Sequence, residues 1–223
     1  MQFIYHENSG ETQLQLNDEA YRYLIKARRQ RVDDKVHFRH LNDASLFTYR
    51  INFIGKKHAD LSLVKSEMIS ITPEINLHLA WSIIEHKTIE KTLPMLNQLG
   101  VEKITFLPAD FSQKNIQISF DRLRKILINS CEQCGRSTLM KLEVDDSIEH
   151  FLNKNPDTAI LDFGGESLSS LKKDNVCFLI GPEGGFSTEE RELFEQFQTL
   201  SLKTPLILRS ECAAIAISSY FNL

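Results

Sequence analysis

The chain is expected to fold as an α/β protein: a helix-covered parallel sheet preceded by a small β-rich domain. Three observations predict this. Between Val36 and Leu63 the apolar residues alternate with polar neighbours, the period of half-buried strands. From Leu77 onward, short apolar runs alternate with helical patterns, which calls for a parallel sheet covered on both faces. Finally, Val176 to Ile180 is an unbroken apolar run of the kind that makes a buried parallel strand, and it passes through a glycine turn directly into a helix start.

The first domain is placed at 1–70. Asn17 or Asp18 can cap a helix running to about Arg28, with Ala20, Leu24 and Ala27 inward. Arg22, Lys26 and Arg29 then share its outer face, and with Arg28 and Arg31 they place five positive charges and no acid between Arg22 and Val32. Such a run is either a solvated helix face or a phosphate-binding patch; the patch is favoured because the protein as a whole is acidic. Val36 and Phe38, then Phe47, Tyr49, Ile51 and Phe53, then Leu61 and Leu63 read as strands of a compact barrel.

Ile69 to Asn76, with Pro73, is the expected linker, and 71–223 the second domain. Leu77 to Ser82 is a strand. Thr88 to Leu99 is a helix stopped at Gly100, and Pro94 either delays its start or kinks it. Ile104 to Leu107 is the next strand and Phe120 to Gln133 a helix; Thr158 to Asp162 and Val176 to Ile180 are further strands. The final segment, Ser210 to Leu223, contains Ala213 to Ile217 without a polar residue. A helix apolar on every side is buried, and at a chain end this suggests packing on a partner subunit.

At 223 residues, 42% hydrophobic and 25% charged, the composition is that of an ordinary globular protein. Met1 to Gly10 holds no apolar signal-peptide core, and no run reaches the roughly 18 apolar residues of a membrane span. Four cysteines in such a chain fit reduced thiols and a cytoplasmic setting. The net charge of −4 disfavours indiscriminate nucleic-acid binding but permits an RNA partner held by gathered basic residues. Cys131 and Cys134 are spaced as metal or redox ligands, yet Cys177 and Cys212 are isolated, so no metal is expected.

The stretch Gly181-Pro182-Glu183-Gly184-Gly185 leads into Ser187-Thr188-Glu189-Glu190, a capping box with Ser187 as N-cap and Glu190 reaching back. Strand, glycine turn and helix N-terminus make either a tight βα connection or a small-molecule site. The second motif follows at Ile207-Leu208-Arg209-Ser210-Glu211-Cys212-Ala213. This ordered pair resembles the SPOUT class of methyltransferases, and within it the bacterial family (RsmE type) that methylates N3 of a uridine in 16S ribosomal RNA. That family carries G-P-E-G-G-F and I-L-R-x-E-T-A; Cys212 here replaces the threonine. Further segments match over nearly the whole chain. Tyr23 to Arg29 resembles the H-x-x-x-V-L-R helix, with Tyr23 for the histidine and Asp33 where a glycine stands. Leu99-Gly100-Val101 and Glu132-Gln133-Cys134-Gly135-Arg136 resemble E-L-G-V and E-Q-x-x-R.

The resemblance implies a trefoil-knotted second domain, a PUA-like RNA-binding barrel before it, a homodimer through the last helix, and S-adenosylmethionine as cofactor. The cofactor would lie among loops at Leu161, Gly181 to Gly185 and Lys203 to Leu208, with Ile180, Leu206 and Leu208 on the adenine and Pro182, Glu211 and Ala213 nearby. Arg209 is the candidate catalytic side chain, placed to stabilise a uracil anion, or else an ion-pair partner of Glu211 or Glu183. Glu183 is a candidate base or electrostatic aid, and Arg136 a candidate RNA contact. Thr204 and Leu206 replace a glycine and an arginine of the pattern, and Gln2 or Phe3 an N-terminal arginine. Leu161-Asp162-Phe163-Gly164-Gly165 also resembles the first motif of Rossmann-like methyltransferases, but too little chain follows it for that fold. The rival activities are ribose 2′-O-methylation of rRNA or tRNA by the same fold, and a non-catalytic ribosome-assembly factor. The implied partner is 16S rRNA in the small ribosomal subunit.

Overall fold

A computed structural model of the chain describes residues 2–113, 117–171 and 176–222. The chain forms two compact units. The first comprises Met1–Thr72 with Cys131–Leu139, and the second Pro73–Ser130 with Met140–Leu223.

In the first unit, β1 (Ile4–Tyr5), β2 (Gln13–Asn17), β3 (Lys35–Arg39), β4 (Ser45–Ile54) and β5 (His58–Met68) form one curled sheet in the order β1-β3-β4-β5-β2. All neighbours are antiparallel except β1 and β3. The alternating residues Phe38, Tyr49, Ile51 and Leu61 are buried together with Leu16 and Leu24. Phe53, expected in the same row, is instead 52% exposed. Asn52 is the cause: the pairing shifts register between Ile51 and Phe53, so one extra residue reverses the inward and outward phase beyond it. Ile54 packs on the core in place of Phe53.

The expected helix after β2 is also altered. Asn17 is its N-cap but makes no side-chain cap bond, and α1 (Asp18–Tyr21) passes into a π-helix over Arg22–Ala27. The wider turn, seen in Arg28 N donating to Tyr23 O at 2.9 Å, changes which side faces in. Tyr21 and Leu24 are buried, and Ala27 is exposed rather than inward.

The second unit holds a six-stranded, wholly parallel sheet in the order β11-β9-β10-β6-β7-β8. Its strands are β6 (Leu77–Ser82), β7 (Val101–Leu107), β8 (Lys141–Val144), β9 (Thr158–Ser167), β10 (Val176–Ile180) and β11 (Thr199–Ser201). The helices are α2 (His86–Gln98), α3 (Phe120–Cys134), α4 (Ile148–Lys154), α5 (Thr188–Leu193) and α6 (Ser210–Asn222); the last turn of α3, from Cys131, groups with the first unit. Pro94 lies inside α2, which begins at His86 rather than late. The central strands β6 and β10 are covered on both faces, as in Leu79, Trp81, Phe178 and Leu179, all fully buried, and β10 is accordingly apolar throughout. Burying each such side chain contributes about 2 kcal/mol.

The last helix departs from an all-round buried cylinder. Ala213, Ala214, Ile217, Ser218 and Phe221 are buried, with Phe221 against Phe178 at 5.2 Å between ring centroids. Cys212 and Tyr220 are exposed and Ile215, Ala216 and Ser219 half-buried, so one small-residue strip of α6 faces outward. Among the described residues no helix is long and apolar enough to cross a membrane.

Candidate active site

A cleft of about 210 Å³ opens at the carboxyl ends of β10 and β11, where ligands bind in open parallel sheets, and beside the middle of β9. Its first wall is Leu161 to Gly164, inside β9, where the pairing with β11 jumps from Ile160 to Glu166. Its second is Ile180, Gly181, Pro182, Gly185 and Phe186, leaving β10. Ser201 at the end of β11, with Leu202, Thr204, Leu206 and Leu208 beyond it, makes the third, and Ser210 and Ala213 of α6 close the cleft. The two motifs thus meet in space although the chain runs through α5 and β11 between them.

Local chemistry dictates each wall. Gly185 has φ +72°, a left-handed turn that glycine takes without strain, and its N–H donates to Pro182 O at 3.0 Å. The capping box is present as expected: Ser187 Oγ accepts from Glu190 N at 3.1 Å, and Glu190 Oε2 accepts from Ser187 N at 2.8 Å. Glu190 is buried, and its other oxygen accepts from Asp110 N at 2.9 Å, so both oxygens are occupied. The first and third walls are brought together at Gly165, where a Cβ would lie 2.7 Å from the backbone of Thr199 and Leu200.

Two polar linkages fix the walls relative to one another. Ser210, itself buried, accepts a hydrogen bond from Trp81 Nε1 at 2.8 Å and donates to Gly181 O at 2.5 Å, joining α6 to β6 and to the glycine turn. Asp162 accepts from Arg191 Nε at 2.7 Å and Nη2 at 3.2 Å, and Arg191 Nη1 donates to Phe186 O at 2.6 Å. Asp162 also accepts from Phe163 N at 2.8 Å, so one arginine holds the first wall against the second. That bond to Asp162 also holds the Arg191 guanidinium still more firmly protonated.

Of the residues expected at the cofactor, Leu161, Ile180, Gly181, Pro182, Gly185, Leu206, Leu208 and Ala213 line the cleft. Glu183, Gly184 and Glu211 do not. Gly184 faces Phe111, where an added Cβ would stand 2.9 Å from Phe111 Cβ, so its lack of a side chain serves that packing. Glu183 is exposed. Glu211 is mostly buried, and its Oε2 has no partner among the described residues. Arg209 is 80% exposed, 3.9 Å from Glu211 Oε1, a separation that leaves its guanidinium largely uncommitted. Sequence reasoning left out Ser210 and Asp162. Ser210 sits inside the second motif, and Asp162 inside the segment that resembles a Rossmann-type strand end.

Arg22, Lys26, Arg28, Arg29 and Arg31 are all exposed on the first unit. Arg28 is not free: its guanidinium lies 5.0 Å from the Tyr23 ring centroid, donates to Tyr23 Oη at 2.6 Å and to Gln2 Oε1 at 2.9 Å. Arg136 corrects its expectation as an RNA contact, because it is buried and its Nε donates to Thr138 O at 3.1 Å. In the same segment Glu132 Oε1 accepts from Tyr5 N at 2.7 Å, so the E-Q-x-x-R match marks an internal brace of the first unit.

The chemistry of the cleft suits S-adenosylmethionine. Aliphatic side chains from all three walls offer an apolar slot for a flat purine, and the Asp162 carboxylate is already paired with Arg191.

Residues 72–222 match the family model described as an RNA methyltransferase domain. Over 222 residues the chain is 41% identical to the ribosomal RNA small subunit methyltransferase E of Helicobacter pylori, covering 98% of both proteins. A Legionella pneumophila protein assigned as a methyltransferase, solved with bound S-adenosylmethionine, is 26% identical with a TM-score of 0.82, over 99% of this chain and 95% of that one. The fold is equally that of a ribosomal RNA small subunit methyltransferase E from Neisseria gonorrhoeae bound to S-adenosylmethionine, with a TM-score of 0.83, 23% identity and coverage of 99% and 96%. With a cleft built from both of its sequence motifs and this likeness along its whole length, the chain belongs to the ribosomal RNA small subunit methyltransferase E family.

Proposed function

We propose that this protein methylates N3 of one uridine in the 16S rRNA of the small ribosomal subunit, using S-adenosylmethionine held in the three-walled cleft. The observation that carries the reading is the meeting of Gly181, Pro182 and Gly185 with Leu206, Leu208, Ser210 and Ala213 around one cleft, in a chain 41% identical to a named small-subunit rRNA methyltransferase. Residues 71–223 supply methyl transfer on a trefoil-knotted fold, and residues 1–70 a PUA-like barrel that docks on rRNA. The outward strip of α6, with Cys212, Ile215, Ala216 and Ser219, supports a homodimer, since small side chains let a second helix approach closely. The protein works in the cytoplasm, without metal or membrane.

Leu161, Ile180, Leu206 and Leu208 hold the adenine, and the main chain of Gly181, Pro182 and Gly185 borders it. Bound S-adenosylmethionine supplies an electrophilic methyl on sulfur. Arg209, exposed and only loosely associated with Glu211, is available to the substrate. There it stabilises the negative charge that reaches the uracil oxygens as N3 gives up its proton. Glu183, also exposed beside the second wall, is the group for that proton or a favourable negative charge. The rest is positioning.

The test incubates the protein and labelled cofactor with small subunits, free 16S rRNA and tRNA, then identifies the methylated nucleoside. N3-methyluridine from small subunits is expected. Methyl on a ribose would establish the 2′-O activity instead, and no methyl on any RNA an assembly factor. Arg209→Ala should keep cofactor affinity and lose roughly 10²-fold or more in kcat; turnover at the normal rate would remove Arg209 from the chemistry.

A further inference from the structure

The first unit carries a second cleft, of about 160 Å³, that methyl transfer does not use. Polar groups converge on it from three parts of the chain: Gln2 before β1, Arg28 and Gln30 after the π-helix, and Lys35 and His37 of β3. Lys35 and His37 alternate along β3 with Val36 and Phe38, which pack in the core, so both sit on the outward face of the sheet. Lys35 stands directly across from Arg50 of β4. Like charges at such a pair repel at close range. Among the described residues neither side chain has an ion-pair or hydrogen-bond partner, and neither does the Gln30 amide. His37 Nδ1 is joined to Thr48 Oγ1 at 3.1 Å, and among the described residues its Nε2 has no hydrogen-bond partner. Arg28 is fixed by Tyr23 and Gln2, a cation held in place before any ligand arrives. Left-handed residues Arg29 (φ +56°) and Asp33 (φ +72°) bracket the segment that bears Gln30, and Asp33 N donates to Ile51 O at 2.8 Å, pinning that segment to β4.

A repelling cation pair beside a small cavity with an unpaired amide and an unpaired imidazole nitrogen matches one anion joined to one planar, hydrogen-bonding group. In RNA that is a phosphodiester and its base. We propose that this cleft binds a single unpaired nucleotide of the rRNA, with Lys35 and Arg50 on the phosphate, Arg28 adding fixed positive charge, and Gln30 and His37 reading the base edge. Phosphate contacts set register and the edge contacts add sequence preference. This rests on the reading that residues 1–70 dock on rRNA, and it is separate from the Arg22, Lys26 and Arg29 face.

The experiment measures the Kd of the full chain for unmethylated small subunits across a salt series, with cofactor affinity and thermal melting as controls. Lys35→Gln should weaken binding and lower the salt slope by about 1, the loss of one phosphate contact. Gln30→Ala should weaken binding roughly five- to tenfold, as loss of a base contact does, with the slope unchanged. Both variants should melt and bind S-adenosylmethionine as the parent does. If both keep the parental Kd and slope while Arg22→Ala, Lys26→Ala and Arg29→Ala together weaken binding, the cleft is not a nucleotide site and the docking role of residues 1–70 stands. If the triple variant also matches the parent, the docking role falls with it.

Discussion

At the residue scale, single side chains do work that their identity alone does not announce. Asp33 occupies a position where the family pattern has glycine, and it takes the left-handed φ of +72° that explains that pattern. Aspartate visits this region more readily than most residues, so the substitution keeps the turn. Ser210 is more consequential. Its hydroxyl is the one atom that joins Trp81 Nε1 to Gly181 O, and Trp81 is fully buried, so Ser210→Ala would leave the indole N–H without a partner. An unsatisfied buried donor costs about 1–3 kcal/mol. We expect Ser210→Ala to lower the denaturation midpoint by a corresponding amount and to weaken S-adenosylmethionine binding, since the freed carbonyl belongs to the cleft wall. Calorimetry with unchanged affinity would show that the glycine turn holds its shape without this bond.

At the scale of elements, the Asp162–Arg191 linkage ties the middle of β9 to α5 and to the backbone of the second wall. Arg191 is half exposed while the Asp162 side chain is largely covered, so the pair contributes on the order of 1–2 kcal/mol to stability, more than a fully exposed pair would. Its value lies in orientation. Arg191→Ala should therefore lower thermal melting modestly while weakening cofactor binding several-fold, and Arg191→Lys should restore the charge but not the two-pronged geometry. Equal losses in melting and in affinity would make the pair a structural brace only. The elements that were legible in the sequence were those with a strong local signature: the largely apolar β6 and the apolar run of β10, the Ser187 to Glu190 capping box, and the end of α2 at Gly100. Those that were not legible have physical reasons. The strand β8 lies at the sheet edge with little of it buried, so its sequence carries no apolar run. The short β11 is placed by its pairing with β9 rather than by its own composition. The π-helix at Arg22–Ala27 and the extra residue at Asn52 each shift a period that sequence reading assumes to be constant.

For the whole molecule, the parallel sheet and the curled sheet were both foreseen from periodicity. The convergence of three distant loops on one cleft was foreseen only through the family's motifs, because strand order β11-β9-β10-β6 is a property of long-range pairing that no local pattern encodes. Long-range packing also governs how stability responds to pH. Burial lowers the pKa of His78 from 6.5 to about 4, with Nε2 joined to Thr105 Oγ1 at 2.9 Å; burial likewise lowers His6 and His37. These histidines stay neutral in the fold at pH values where the unfolded chain would protonate them. The unfolded state thus binds more protons below pH 6.5, and stability is full above that value and falls as pH drops towards 4. For His78 the loss across this window amounts to about 3 kcal/mol at its limit, from about 1.4 kcal/mol per pKa unit. Denaturant midpoints of the parent and His78→Gln, measured from pH 7.5 to 4 at constant ionic strength, would isolate it. The parent should lose stability more steeply than the variant between about pH 6.5 and 4, by close to one proton in the slope, while above pH 7 the two curves run parallel. Parallel curves throughout would mean that His78 takes up a proton within the fold, which requires its contact with Phe151 to open.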